Sequence, residues 1–293
     1  MSNSTASRWL LTGGLWLGVA AALLISLTNV FSRLHFEAGS NPVTFMLLRY
    51  VLFVGVVVVG FAVTTGLPRI PRHRYRDIVI AGLLNVAGAT CLAFAIERLQ
   101  VSLAIAVLYL FPIFTLLIDS SVRRKLPSPI AVAALLLALL GLVLALDVRT
   151  TLPDPVGVAF ALCAALGVSA SFVWIDWRLQ DVGDGARILG LSVVALVAMI
   201  VFSLFKGGVV WPLPSAWAWV TLLIATATFG AAYTAIFLAI ARVGAPTTST
   251  LMNLEPPATA VFAALLLGDR LDTIQLIGIA LVIAAVIWAQ RHA

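Results

Sequence analysis

Two charged side chains stand inside otherwise apolar stretches: Arg49, and Glu255 in the middle of LMNLEPPAT at 251–259. An ionised group among hydrocarbon is costly, so each needs a counter-charge, a set of hydrogen-bond partners or, for the carboxyl, a proton. Arg49 suits an anion, although its long stem also allows its head to snorkel to the membrane surface. Three amides share this setting, Asn29, Asn85 and Asn253, and each is expected to turn away from lipid, toward another helix or a ligand. Tyr109 and Tyr233 combine an apolar ring with a hydroxyl, as a cavity lining would. Trp174, near a run's end, suits either an interfacial belt or a cavity wall. These eight residues are the candidate substrate-binding set. Hydrogen-bonding groups with one charge of each sign suit holding a small polar molecule more than breaking its bonds.

Bond-breaking chemistry has no comparable signature. H-E-x-x-H, G-x-S-x-G and G-x-x-x-x-G-K-[ST] are all missing from the sequence. His35, His73 and His292 fall near loops or the chain end, and no histidine–carboxylate cluster lies within a run. Cys91 and Cys163 sit in apolar stretches and read as small packing residues. The chain is therefore not expected to be an enzyme, to bind a metal or cofactor, or to hydrolyse ATP.

The elements that must position these residues are membrane helices. Of 293 residues, 62% are hydrophobic and 10% charged, where soluble domains carry about 25% charged residues. Ten apolar runs are each of the length a helix needs to cross hydrocarbon, about 20 residues. They cover approximately 11–33, 42–65, 77–96, 101–118, 129–147, 155–176, 186–206, 216–240, 245–267 and 273–290. Continuous rather than alternating hydrophobicity argues against a strand barrel, and the short joins leave no room for a soluble domain. The net charge of +6 resides in clusters between runs, which is the pattern of membrane loops rather than of a nucleic-acid-binding face. The densest clusters, Arg69–Arg76 and Arg123–Lys125, fall on the side that holds the N-terminus. That bias predicts both termini in the cytoplasm and a bacterial inner-membrane location.

A shift of 143–144 residues superimposes the chain on itself. Ser26 falls on Ser169, Ala95-Ile96 on Ala239-Ile240, Arg98 on Arg242, and Leu110 and Pro112 on Leu254 and Pro256. The predicted fold is all-α, with ten transmembrane helices in two five-helix repeats, 1–148 and 149–293. Five is odd, so the second repeat enters the membrane inverted, an arrangement that secondary transporters build around a midplane site. The proline breaks are paired across the repeat. Pro256 and Pro257 cannot donate to the carbonyls of Met252 and Asn253, and Pro112 cannot donate to that of Leu108. Gly14 and Gly18 form a G-x-x-x-G, expected to bring two helices into close contact.

Taken together, these residues resemble the drug/metabolite transporter superfamily in its ten-helix EamA-type branch, and within it a YddG-type amino-acid exporter. Asn29 with Phe31 is similar to the family's ending of the first helix. Pro42, Phe45 and Arg49 are similar to its P-x-x-F-x-x-x-R. Leu254-Glu255-Pro256 followed by Leu267-Gly268-Asp269, Gln275 and Gly278 is similar to its E-P…L-G-E…Q-x-x-G. The chain departs at Asp269, where Glu is usual, and at Arg124-Lys125-Leu126, where an acidic residue is common. The resemblance implies export of small metabolites, with the fifth and tenth spans at the periphery and the other eight around a cavity.

The expected function is a secondary transporter of small metabolites, most plainly amino acids including aromatic ones, working by alternating access. A lipophilic-cation or nucleotide-sugar carrier of the same fold is the alternative, because Glu255 beside Tyr109 would also suit a cation. A non-transporting membrane scaffold would not need broken helices. Expected partners are the lipid bilayer and a small-molecule substrate, with no nucleic acid.

Overall fold

The computed structural model describes residues 3–146, 154–209, 211, 213 and 215–291. Among them there is no strand. The helices are α1 (Asn3–Glu37), α2 (Pro42–Thr64), α3 (Tyr75–Ile96), α4 (Val101–Leu108), α5 (Phe111–Arg123), α6 (Pro129–Ala145), α7 (Pro155–Arg178), α8 (Asp184–Lys206), α9 (Ala216–Met252), α10 (Glu255–Leu267) and α11 (Thr273–Arg291). Pro42, Pro129 and Pro155 open their helices, where a missing N–H costs no helical bond. By length and composition, 8 helical stretches can cross a membrane, α4 and α5 forming one of them; α6 and α10 are shorter.

The eighth run and the first part of the ninth both lie in α9, which turns back on itself at Gly244 (φ 81°, ψ 167°), a non-helical joint between two helical stretches and a conformation that glycine adopts without a Cβ clash. Contacts with α1 show the reversal. Before Gly244, α9 runs antiparallel to α1: Ala218 and Thr221 meet His35, Thr228 meets Thr28, and Val243 meets Gly14. After it the chain runs parallel to α1: Leu251 meets Gly18, Glu255 meets Ser26, and Asp269 meets Arg33. Gly14 and Gly18 thus give the close approach expected of them, since a Cβ at Gly14 would lie 2.6 Å from Val243 Cγ1.

The same construction recurs inverted around α7. Ser171 bonds the Ala81 carbonyl on antiparallel α3, and Gly157 lies against Leu99. Ser169 then meets Phe111, and Asp176 meets Arg123, along parallel α4–α5. Asp176 also touches Gly244 and Ala245, which lie beside the start of α1. So α7 ends at the face where α1 begins. That face is called the near face here, and its opposite the far face. Each half therefore lends helices to the other: α1 packs with α9 and α10, and α7 with α3, α4 and α5. α2 and α8 pack beside these two groups.

α6 and α11 pack chiefly on one another. A Cβ at Gly141 would lie 2.8 Å from the Gly278 carbonyl, so the two backbones touch. This agrees with the peripheral position that the resemblance implied. The boundary expected between the halves, at 148, lies outside the described residues. On the near face, Arg74 reaches both Asp77 (3.0 Å) and Asp181 (2.9 Å). It holds the Asp181 carboxyl below its usual range, chiefly by that hydrogen bond.

Candidate functional site

Both broken helices part at matching positions. α4 stops at Leu108 and α5 starts at Phe111; α9 stops at Met252 and α10 starts at Glu255. The prolines sit in the first turns of the new helices, where their lack of an N–H is tolerated. Each break is bonded by the serine of the opposite half. Ser169 Oγ donates to the Phe111 carbonyl and Ser26 Oγ to the Glu255 carbonyl, both at 2.8 Å. Those two serines are the pair that the sequence superimposed.

Glu255 is gripped by neutral donors. Asn29 Nδ2 on α1 lies 3.0 Å from its Oε1, and the Tyr109 hydroxyl, at the break of the other half, bonds the same carboxyl group. Three of the eight candidates therefore meet at one point between the halves. Asn253, two residues away, is 5% exposed, and its Nδ2 has no partner among the described residues.

Arg49 does not snorkel. It is 9% exposed, and its guanidinium carbon lies 4.0 Å from the Phe229 ring centre, with the Phe45 ring at 5.2 Å and the Tyr50 ring at 5.6 Å. Nη2 points at Met46 Sδ (3.0 Å) and Nε has no partner. Among the described residues, no carboxylate pairs with it. A ring contact contributes about 0.5–2 kcal/mol, whereas withdrawing an ion from water costs several kcal/mol. Three rings offset a part of that cost comparable to the cost itself, and Arg49 remains a buried cation without an anionic partner among the described residues. Tyr233 lines the neighbouring wall, 5.4 Å from Phe229 and 5.7 Å from Phe53 between ring centres.

Two candidates stand apart. Trp174, on the near-face end of α7, packs edge-on against Trp177 (6.0 Å), and its buried Nε1 has no partner. Asn85 is half-buried on α3.

Two residues escaped the sequence reading. His35 was placed near a loop, but it is sealed inside the last turn of α1, its Nδ1 2.9 Å from the Ala218 carbonyl. Asp176 ends an apolar run and drew no notice, yet it is 6% exposed and bonds three segments. The repeat could have flagged it, because a shift of 143 places it on Arg33, the reverse charge.

The chain matches the EamA-like transporter family over residues 12–146 and again over 155–290. It belongs to that family. A solved crystal structure described only as that of a protein shares its fold, with a TM-score of 0.81 at 18% identity, covering 96% of this chain and 98% of the other. The comparison with curated proteins gave no match. Family and fold establish a membrane transporter; they leave its substrate open.

Proposed function

We propose that this transporter exports small zwitterionic metabolites, amino acids including aromatic ones foremost, by alternating access between its two halves. The observation that carries the reading is a pair of unmatched charges. Among the described residues, Arg49 is buried without a carboxylate, and Glu255 is held by an amide and a phenol. An amino acid brings the two groups that answer them, a carboxylate for Arg49 and an ammonium for Glu255. The rings of Phe45, Tyr50, Phe229 and Tyr233 offer an apolar wall to its side chain. Asn29, Tyr109 and Asn253 supply hydrogen bonds at the breaks, Trp174 lines the near-face end of the route, and Asn85 borders it on α3. Each repeat, 1–148 and 149–293, contributes one break. The basic loops favour both termini in the cytoplasm of a bacterial inner membrane.

The test is flux in proteoliposomes with labelled aromatic and aliphatic amino acids beside lipophilic cationic dyes. Amino-acid flux that Arg49→Gln and Glu255→Gln both abolish is the expected result. Dye flux alone, lost in Glu255→Gln but intact in Arg49→Gln, would transfer the reading to a cation exporter.

A further inference from the structure

The repeat makes the two faces of the molecule comparable, and they are not packed alike. On the near face, α5 and α7 lie against the fold-back of α9 at Gly244. An indentation of about 530 Å³ remains there, lined by Asp119, Arg123, Asp176, Gln180 and Gly244 among others. The equivalent helices on the far face are α10 and α1, and the equivalent fold-back joins α3 to α4. Among the described residues, neither α10 nor α1 packs comparably on α3 or α4. The two helix groups therefore meet at the near face and stand apart at the far one.

One carboxylate ties the near face together. Asp176 Oδ2 accepts from Arg123 Nη2 on α5 (2.6 Å) and from the Ala245 N–H just past the fold-back (3.2 Å), while Oδ1 accepts from Gln180 (2.7 Å). Gly244, at φ 81°, lets the chain pass close beside it: a Cβ there would lie 3.4 Å from the same Oδ2. Arg123 is braced in turn by Asp119 (2.7 Å). Of these bonds, Asp176 to Ala245 is the one that joins the α7 group to the α1 group.

On the far face the corresponding residue is Arg33. It pairs with Asp269 (2.7 Å) and Glu37 (3.0 Å), both within its own helix group. The backbone N–H corresponding to that of Ala245 belongs to Val101. A guanidinium has no acceptor to offer an N–H, so the same tie cannot form there. The charge swap restricts it to one end.

We propose that Asp176 is the positioning residue that sets which face the pathway opens to. Its bond to the α9 fold-back latches the near face shut and leaves the far face open, as in this structure, and releasing it favours the opposite state. The proposal concerns access, so it is separable from any assignment of substrate.

Its test uses the full chain in nanodiscs, with Cys91 and Cys163 replaced and one reporter at a time, Asn29→Cys or Asn253→Cys, read by the rate of reaction with a charged maleimide. No substrate is present, so failure of the amino-acid reading does not affect the outcome. In Asp176→Ala the reaction at 253 should rise about tenfold and that at 29 should fall, the shift that loss of a charge-assisted bond in one of two states produces. Arg123→Gln leaves the Ala245 bond in place and should move both rates the same way by less. A general loosening would raise both rates together. That result, or unchanged rates at both positions, overturns the proposal. Should Asp176→Ala fail to fold, Asp176→Leu, of similar size and without an acceptor, carries the test, and unchanged rates in it overturn the proposal.

Discussion

At the break in the first half stands Phe111; at the matching break in the second stands Glu255. The backbones are alike: each helix stops three residues earlier, restarts with a proline in its first turn, and gives a carbonyl to the other half's serine at 2.8 Å. The side chains differ entirely. Phe111 packs on Tyr109 and Phe172, whereas Glu255 collects Asn29 and Tyr109. A broken helix is thus shared architecture. On the proposed function, substrate chemistry enters at one side chain of one copy. Arg49 repeats the lesson, since its counterpart at a shift of 143 is Ser192, which merely bonds the Ile188 carbonyl one turn back (2.6 Å).

The largest expected effect separates the two breaks directly. Glu255→Gln should lower transport about a hundredfold while thermal unfolding stays close to wild type, because a buried charge facing substrate contributes on the order of 2–5 kcal/mol. Phe111→Leu should do the reverse and lower the unfolding temperature with little effect on flux per folded molecule. Equal flux losses in the two variants would remove the distinction. Arg49→Lys comes next. It keeps the charge but loses the planar stack on Phe229, and should reduce flux about tenfold, one bidentate or stacked contact. Ser192→Ala, assayed beside it, should leave flux unchanged.

The serines probe what the halves share. Ser26→Ala and Ser169→Ala should each destabilise by about 0.6 kcal/mol, the usual size of a hydrogen bond between membrane helices. Unfolding in a denaturant series measures both. A difference of more than about 1.5 kcal/mol would mean that the breaks are not structurally equivalent. The smallest effect lies outside the membrane. Arg74 lowers the Asp181 carboxyl, so its contribution is complete above the ordinary carboxylate range and fades as pH falls through the lowered value. Thermal stability compared at neutral and acid pH should fall less on acidification in Asp181→Asn than in wild type.

Hydropathy was enough to place ten spans, because a helix in hydrocarbon must be apolar along its whole length. Pro112 and the pair Pro256-Pro257 mark the two breaks in the sequence itself, since a missing N–H is a local property. Glu255 with Asn29 and Tyr109 was legible as a list of polar residues, but not as a cluster. Their meeting depends on α1 lying beside α10 in the other half, and sequence distance does not encode that. The ring cage of Arg49 was hidden for the same reason, as Phe229 comes from α9. Asp176 escaped because self-comparison rewards identity, and here the repeat carries opposite charges. The reversal at Gly244 falls in the gap expected between the eighth and ninth runs; that a single glycine at positive φ makes it was not legible, because hydropathy marks only where a run ends.

α6 has 17 residues, which at 1.5 Å per residue give a rise of about 26 Å. The hydrocarbon of an average bilayer is about 30 Å thick. This short helix lies on the rim, welded to α11 by the contact of Gly141 with Gly278, and the backbone contact there limits any sliding that would lengthen the pair. An average bilayer meets here a span a few ångströms short, a mismatch that thinning of the lipid or snorkelling of flanking residues accommodates. At this rim the protein should therefore favour thin bilayers over thick ones, whatever it transports.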